Sequence, residues 1–348
     1  MSLKYFTDAN SAAGYVSLQK ENLSQITTIY HLKSSEEQTV HLLLKNLLTA
    51  AKKKRLHVEE IYSTFNESYL AGLVIREQSM AFTSGKIVTN GSNIIDLSPL
   101  YNSNSLRAQQ ENIQRLTLNM NQFYKKMYMH FNAALLIHDE WERIYIDRMD
   151  FDKADAFRKD TVDLIFKTPI PPKSGDAIVT RRFFGTSTVT GLKDFIPELT
   201  VGFKRYFIKG RPGTGKSTLM KDVVTKGVEL GYDVDIYHCS LDPKSLDMVV
   251  IPELDLCIFD ATAPHEYDPI YETDEILDTY VAFVKQDTDE RCAHLIASIQ
   301  AKYEHQIKSA RNAMKEGHDL RKSLEQIYAA ALQTDAFETL SKELESFL

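Results

Sequence analysis

The residues Gly210-Arg211-Pro212-Gly213-Thr214-Gly215-Lys216-Ser217-Thr218 carry the chain's clearest chemical signal. Two glycines five positions apart, followed by a lysine and two hydroxyls, complete the pattern G-x-x-x-x-G-K-[ST]. Glycine accepts positive φ and lets successive N–H groups approach phosphate oxygens. A helix beginning near Lys216 would point its dipole and unpaired N–H groups at the same anion. Lys216 adds a mobile charge for the β- and γ-phosphates, and the Ser217 hydroxyl suits a Mg²⁺ ion. All nine residues are therefore candidate nucleotide contacts. Leu256-Cys257-Ile258-Phe259-Asp260 is an apolar run ending in an acid, the form of a buried strand that delivers a carboxylate to Mg²⁺. Lys216, Asp260 and Asp242 are the candidate catalytic residues, with Ser217 and Asp260 the candidate metal ligands.

Other polar residues fall at the ends of the same runs: His238-Cys239-Ser240-Leu241-Asp242-Pro243 and Thr262-Ala263-Pro264-His265. In an open α/β sheet, ligands bind beyond the carboxyl ends of strands. Asp242, His238 and His265 are accordingly candidates for positioning water or a second substrate, against the plainer reading of an Asp-Pro turn and incidental histidines. The spacing of His238, Cys239 and His265 matches no standard zinc pattern. Ala261 stands where many ATPases carry a water-activating Glu.

The elements that must hold these groups read as a repeat. Leu70–Glu77 and Leu246–Glu253, 176 residues apart, agree at four of eight positions. Leu32–Lys45 lies over Ile208–Lys221 at the same offset, and Glu142–Tyr145 over Glu325–Tyr328 at 183. Each half shows short β-rich runs around a helical stretch (Glu36–Lys54, Lys216–Leu230), then long helical segments (Ser105–Phe166, Thr273–Leu348). A β-α-β unit with a right-handed crossover is expected. The fold class expected is α/β: tandem duplicated phosphate-loop modules with parallel sheets, each followed by a long helical segment. The expected division is 1–167, a Pro-rich linker at 168–178, and 179–348. Opposite the glycine loop, the first half has Ser34, Thr39, Val40 and His41 in place of Gly210, Gly215, Lys216 and Ser217, with Ser84 at the place of Asp260. Glu36 and Glu37 would repel phosphate there. The first half is expected to keep the fold without the nucleotide site.

The net charge of −7 argues against a general nucleic-acid ligand. No apolar run approaches the roughly 20 residues of a membrane span, and the N-terminal residues lack the apolar core of a secretory signal. Three cysteines without framework spacing fit a reducing, cytoplasmic setting. Trp141 with Ile137, Ile144 and Tyr145 is expected in a core, and Glu140 and Glu142 are expected to pair with Arg143 or Arg148 on a surface.

The second half resembles P-loop NTPases. The whole chain resembles a bacterial family of duplicated P-loop ATPases, on the stretches Phe207–Lys221, His238-Cys239, Ser245–Asp247, Phe259–His265 and Ile137–Glu142. That resemblance implies ATP and Mg²⁺ as ligands and a cytoplasmic setting, with no substrate assigned. The leading expectation is a Mg²⁺-dependent ATPase that couples hydrolysis to motion between halves or against a protein partner. A small-molecule or nucleotide kinase is a second, although no Arg-rich lid follows Asp260 and Arg291 and Arg311 stand alone. A scaffold locked by bound ATP, using the first half or the helices as an interaction surface, is a third.

Overall fold

The computed structural model describes residues 2–85, 91–167, 171 and 175–348. Most of the expected linker, residues 168–170 and 172–174, lies outside the described residues. Two six-stranded sheets and eleven α-helices are formed among those described. The first sheet contains β1 (Lys4–Tyr5), β2 (Thr28–Lys33), β3 (Glu59–Tyr62), β4 (Leu70–Ile75), β5 (Met80–Thr83) and β6 (Asn93–Asp96). The second contains β7 (Val179–Arg182), β8 (Lys204–Lys209), β9 (Val234–His238), β10 (Leu246–Ile251), β11 (Leu256–Asp260) and β12 (Glu275–Asp278).

Strand order is β6-β2-β5-β4-β3-β1 in one sheet and β12-β8-β11-β10-β9-β7 in the other, the same order strand for strand. Small irregularities recur too. The β3–β4 register shifts between Ile61 and Tyr62, and the β9–β10 register between Tyr237 and His238. A 3₁₀ turn follows each fourth strand (Arg76–Gln78, Pro252–Leu254) and ends on a left-handed residue, Ser79 or Asp255.

The sheets are mixed rather than parallel. β4 and β10 run antiparallel to both neighbours, whereas the remaining pairings are parallel. The cause is the short connection after each. Parallel neighbours need a crossover of about a dozen residues, and the 3₁₀ turns between Ile75 and Met80 and between Ile251 and Leu256 allow only reversal. The β-rich stretch Gly72–Thr83, which by residue type reads as one continuous run, is thus two strands.

Helix α1 (Gln38–Lys53) buries Leu43, Leu44, Leu47 and Ala51 on the first sheet. Helices α2 (Gln110–Ile146) and α3 (Phe151–Ile165) follow, and the counterpart of α1 in the second half, α4 (Lys216–Glu229), buries Leu219, Met220, Val223 and Gly227. The same apolar face sits inward at an offset of 176, as helical periodicity requires. Two long helices, α2 and α5 (Ala293–Ala331), pack along one another. The pairs His130–Gln306 (2.7 Å) and Tyr124–Arg321 (3.1 Å) make them antiparallel.

At about 1.5 Å per residue, α2 carries the chain roughly 55 Å, from one sheet to the other. Its successor α3 therefore packs in the second half: Phe157, Val162, Ile165 and Phe166 join Tyr206, Leu219 and Val223, and Arg158 pairs with Asp222 at 2.6 Å. Reciprocally, α6 (Thr334–Glu345) places Phe337, Leu340 and Leu344 on Leu43, Leu44 and Leu47 of the first half. The closing helix of each half covers the other half. No helix among the described residues is long and apolar enough to cross a membrane.

Candidate functional site

β8 delivers the chain to Gly210, and the loop closes on Lys216, the first residue of α4. Gly213 and Gly215 adopt φ of 76° and 77°, the left-handed conformation that glycine takes without steric cost. The buried Thr214 hydroxyl donates to the Arg211 carbonyl (2.8 Å) and lies 2.7 Å from that of Thr279, which donates to the Lys209 carbonyl. Gly210 abuts Thr279, and Arg211 is fixed by two bonds to Asp289 (2.9 and 2.7 Å) and by the Tyr280 ring beneath it. Pro212 lies within this closed turn. Lys216 Nζ donates to the Arg211 carbonyl at 2.9 Å and stands 3.6 Å from Asp260 Oδ2.

Asp260 ends β11 opposite Ile208 of β8, and its other oxygen accepts from the Thr262 N–H (3.0 Å) and hydroxyl (2.5 Å). Ser217 Oγ accepts from the Leu246 N–H at 2.9 Å, which ties the start of α4 to β10 and leaves its own proton to donate. Asp242 accepts the Lys244 N–H of its own turn (3.2 Å). Its charge also reaches His138, so it borders the site. The Asp247 carboxyl is pushed up to about 6 by burial first and next by the charge of Asp260, and the Cys239 thiol donates to it. His238 bonds the Pro243 carbonyl (2.7 Å) and Arg181 (3.0 Å), whereas His265 pairs with Asp194 at 3.1 Å. These two histidines and Cys239 face different partners and do not converge. Gly215 and Thr218 border an apolar cavity of about 150 Å³ with Phe151, Phe157, Leu219 and Phe283.

The sequence missed the roof of this loop. The C-terminal end of α2, which belongs to the first half, lies directly on it. A Cβ built on Gly213 would stand 2.9 Å from both Cβ and O of Glu142. Glu142 pairs with His138 (Nδ1 to Oε1, 3.6 Å), not with Arg143 or Arg148. Burial lifts its pKa, as does Asp139, against the opposing pull of Lys216 and the Gly213 N–H. His138 is held below the usual imidazole value by burial first and by Lys216 next. Among the described residues, His138, Asp139 and Glu142 are the one group whose ligand atoms lie within 4.8 Å of one another, a span that a divalent cation can bridge. The Glu142–Tyr145 repeat match marked the segment, but helical periodicity cannot say which loop a helix end will meet. Trp141 does pack with Ile144 and Tyr145 in a core.

The equivalent place in the first half is filled from within. The buried Glu36 carboxylate accepts the Thr39 N–H (3.1 and 3.2 Å) and the Tyr101 hydroxyl (2.6 Å). A carboxylate of the chain itself thus occupies the N-terminus of α1, where an anion is favoured. Glu37 pairs with Arg321 of α5 at 3.2 Å.

No protein-family model, curated protein or solved structure matches this chain.

Proposed function

We propose that the protein binds one Mg²⁺-nucleotide such as ATP at residues 210–218 and hydrolyses it, coupling turnover to motion between its halves or against a protein partner. The observation that carries this reading is the loop itself. Two left-handed glycines turn the backbone so that its N–H groups head α4, and Lys216 is poised between a loop carbonyl and Asp260. A triphosphate would take Lys216 from those partners, with Ser217 and Asp260 left to hold Mg²⁺. The apolar cavity beside Gly215 and Thr218 offers phenylalanine faces to a base. In the same reading the shared strand order marks two copies of one P-loop module, the first vacant because Glu36 caps its helix.

Calorimetric titration of ATP, ADP and GTP with Mg²⁺ into wild type and Lys216→Ala, followed by a phosphate-release assay, tests the reading. One nucleotide per chain, lost in Lys216→Ala, is expected. Two per chain would overturn the vacancy of the first half, and none would overturn the reading.

Phosphoryl transfer to a small acceptor is a second reading, favoured by one observation. A cavity of about 560 Å³ gathers Arg148, which follows α2, with Lys285 and Arg291 of the segment that also supplies Asp289 to Arg211; Asp147 is the one acid on its wall. It suits an anionic acceptor. ADP production that rises with a phosphorylated or carboxylate acceptor would favour it.

A further inference from the structure

Hydrolysis at this loop needs a group to take a proton from the attacking water, and the position after Asp260 holds Ala261. Three carboxylates of the second half, Asp260, Asp242 and Asp247, are drawn to other partners. Asp260 is held by Thr262 and Lys216, Asp242 accepts within its own turn, and Asp247 accepts from the Cys239 thiol. The carboxylate that arrives from above is Glu142 of the first half. Its backbone is wedged against Gly213, its carboxylate accepts from the Gly213 N–H, and the charges that reach it are those of Asp139, Lys216 and Asp242; a phosphate that takes the Gly213 N–H would free that carboxylate for water.

The first half repeats the placement. Glu325 and Arg321 of α5 stand 183 residues after Glu142 and His138. Arg321 pairs with Glu37 beside the start of α1, and Glu325 accepts from the Tyr69 hydroxyl at 3.3 Å. Delivery of a glutamate from one half to the opposite loop is thus built into the architecture. Only at the second loop does that glutamate meet a glycine cradle and a lysine.

We infer that Glu142, supplied across the boundary between halves, is the general base of the nucleotide site. The inference rests on the ATPase reading above. The water oxygen forms a bond to the γ-phosphorus, and the bond from that phosphorus to the bridging oxygen breaks, its electron pair leaving on ADP. The water proton passes to the Glu142 carboxylate. A base placed this way ties hydrolysis to the relative position of the halves, because α2 must lie on the loop for the reaction to run.

Full-length wild type, Glu142→Gln, Glu142→Asp and Glu140→Gln are compared for Mg·ATP binding by calorimetry and for turnover by phosphate release. General-base loss costs about 10²–10⁴-fold, so Glu142→Gln is expected to bind Mg·ATP within about threefold of wild type and to lose turnover by that factor. Glu142→Asp should recover part of it, and the exposed Glu140→Gln should match wild type. Turnover of Glu142→Gln within tenfold of wild type overturns the role, as does wild type that binds Mg·ATP without hydrolysing it. Equal loss of binding and turnover marks a packing contact and overturns it too. Wild type that binds no Mg·ATP instead sinks the nucleotide reading itself, and the inference with it.

Discussion

Replacing Gly213 and Gly215 separately by alanine divides backbone strain from contact with the roof. Both residues have nearly equal φ, 76° and 77°, so both variants pay about 1–2 kcal/mol for a left-handed non-glycine residue. Their surroundings differ. The Cβ of Gly215→Ala meets nothing within 4 Å, whereas that of Gly213→Ala meets Glu142 Cβ and O at 2.9 Å and its Cα at 3.0 Å. Those atoms belong to the body of a helix and cannot swing aside, so an overpacking cost of about 1–3 kcal/mol is added. Gly215→Ala is expected to lose about 1–2 kcal/mol in urea unfolding, and Gly213→Ala roughly 2–5 kcal/mol. Trp141, the sole tryptophan, adjoins Glu142, so its fluorescence should shift in Gly213→Ala and stay unchanged in Gly215→Ala. Equal stability losses within about 0.5 kcal/mol, with Trp141 silent in both, would refute the seating of α2 on the loop.

Three further outcomes can be measured. Glu36→Ala removes the acceptor of the Thr39 N–H and the Tyr101 hydroxyl; unfolding should show a loss of about 1–3 kcal/mol, while calorimetry still counts one nucleotide. Arg182 is 1% exposed, bonds Asp235 at 2.9 Å and lies over the Tyr5 ring of the other half; Arg182→Met leaves the partly exposed Asp235 with the Thr180 hydroxyl in place of its cation and should cost roughly 2–4 kcal/mol, whereas a loss below about 1 kcal/mol would refute its part in joining the halves. Glu325 is pushed up to about 7 from 4.5 by burial first, with Glu37 and Glu36 also raising it against Arg321. Its folded state binds the proton more tightly than the unfolded chain, so its contribution is present below about 4.5 and is lost as pH rises through about 7. Glu325→Gln should therefore gain stability relative to wild type across that window, read by urea unfolding at stepped pH; a constant difference would refute the shift.

The glycine loop, the helix behind it and the acid at the end of β11 were legible in the sequence because each is local. Residues 210–218 are joined by covalent bonds, so their types and spacing define the turn before anything packs on it. The offset of 176 similarly located the helix face that meets each sheet, since Leu43, Leu44 and Leu47 keep the 3.6-residue period of Leu219, Met220 and Val223. The direction of the middle strands was hidden, because apolar runs carry no direction, and in the first half the 3₁₀ turn at Arg76–Gln78 also hid the break between two strands. Glu142 was hidden more deeply. Its own surroundings in sequence contain two arginines that offered a plain surface pairing, and the partner it meets lies some 70 residues away in the other half. The length of α2 and its antiparallel packing on α5 decide that meeting. Sequence by itself determined which groups can hold a triphosphate; the crossing of two long helices decided which distant carboxylate stands over it, because a long-range contact depends on how whole elements pack and not on the spacing within either one.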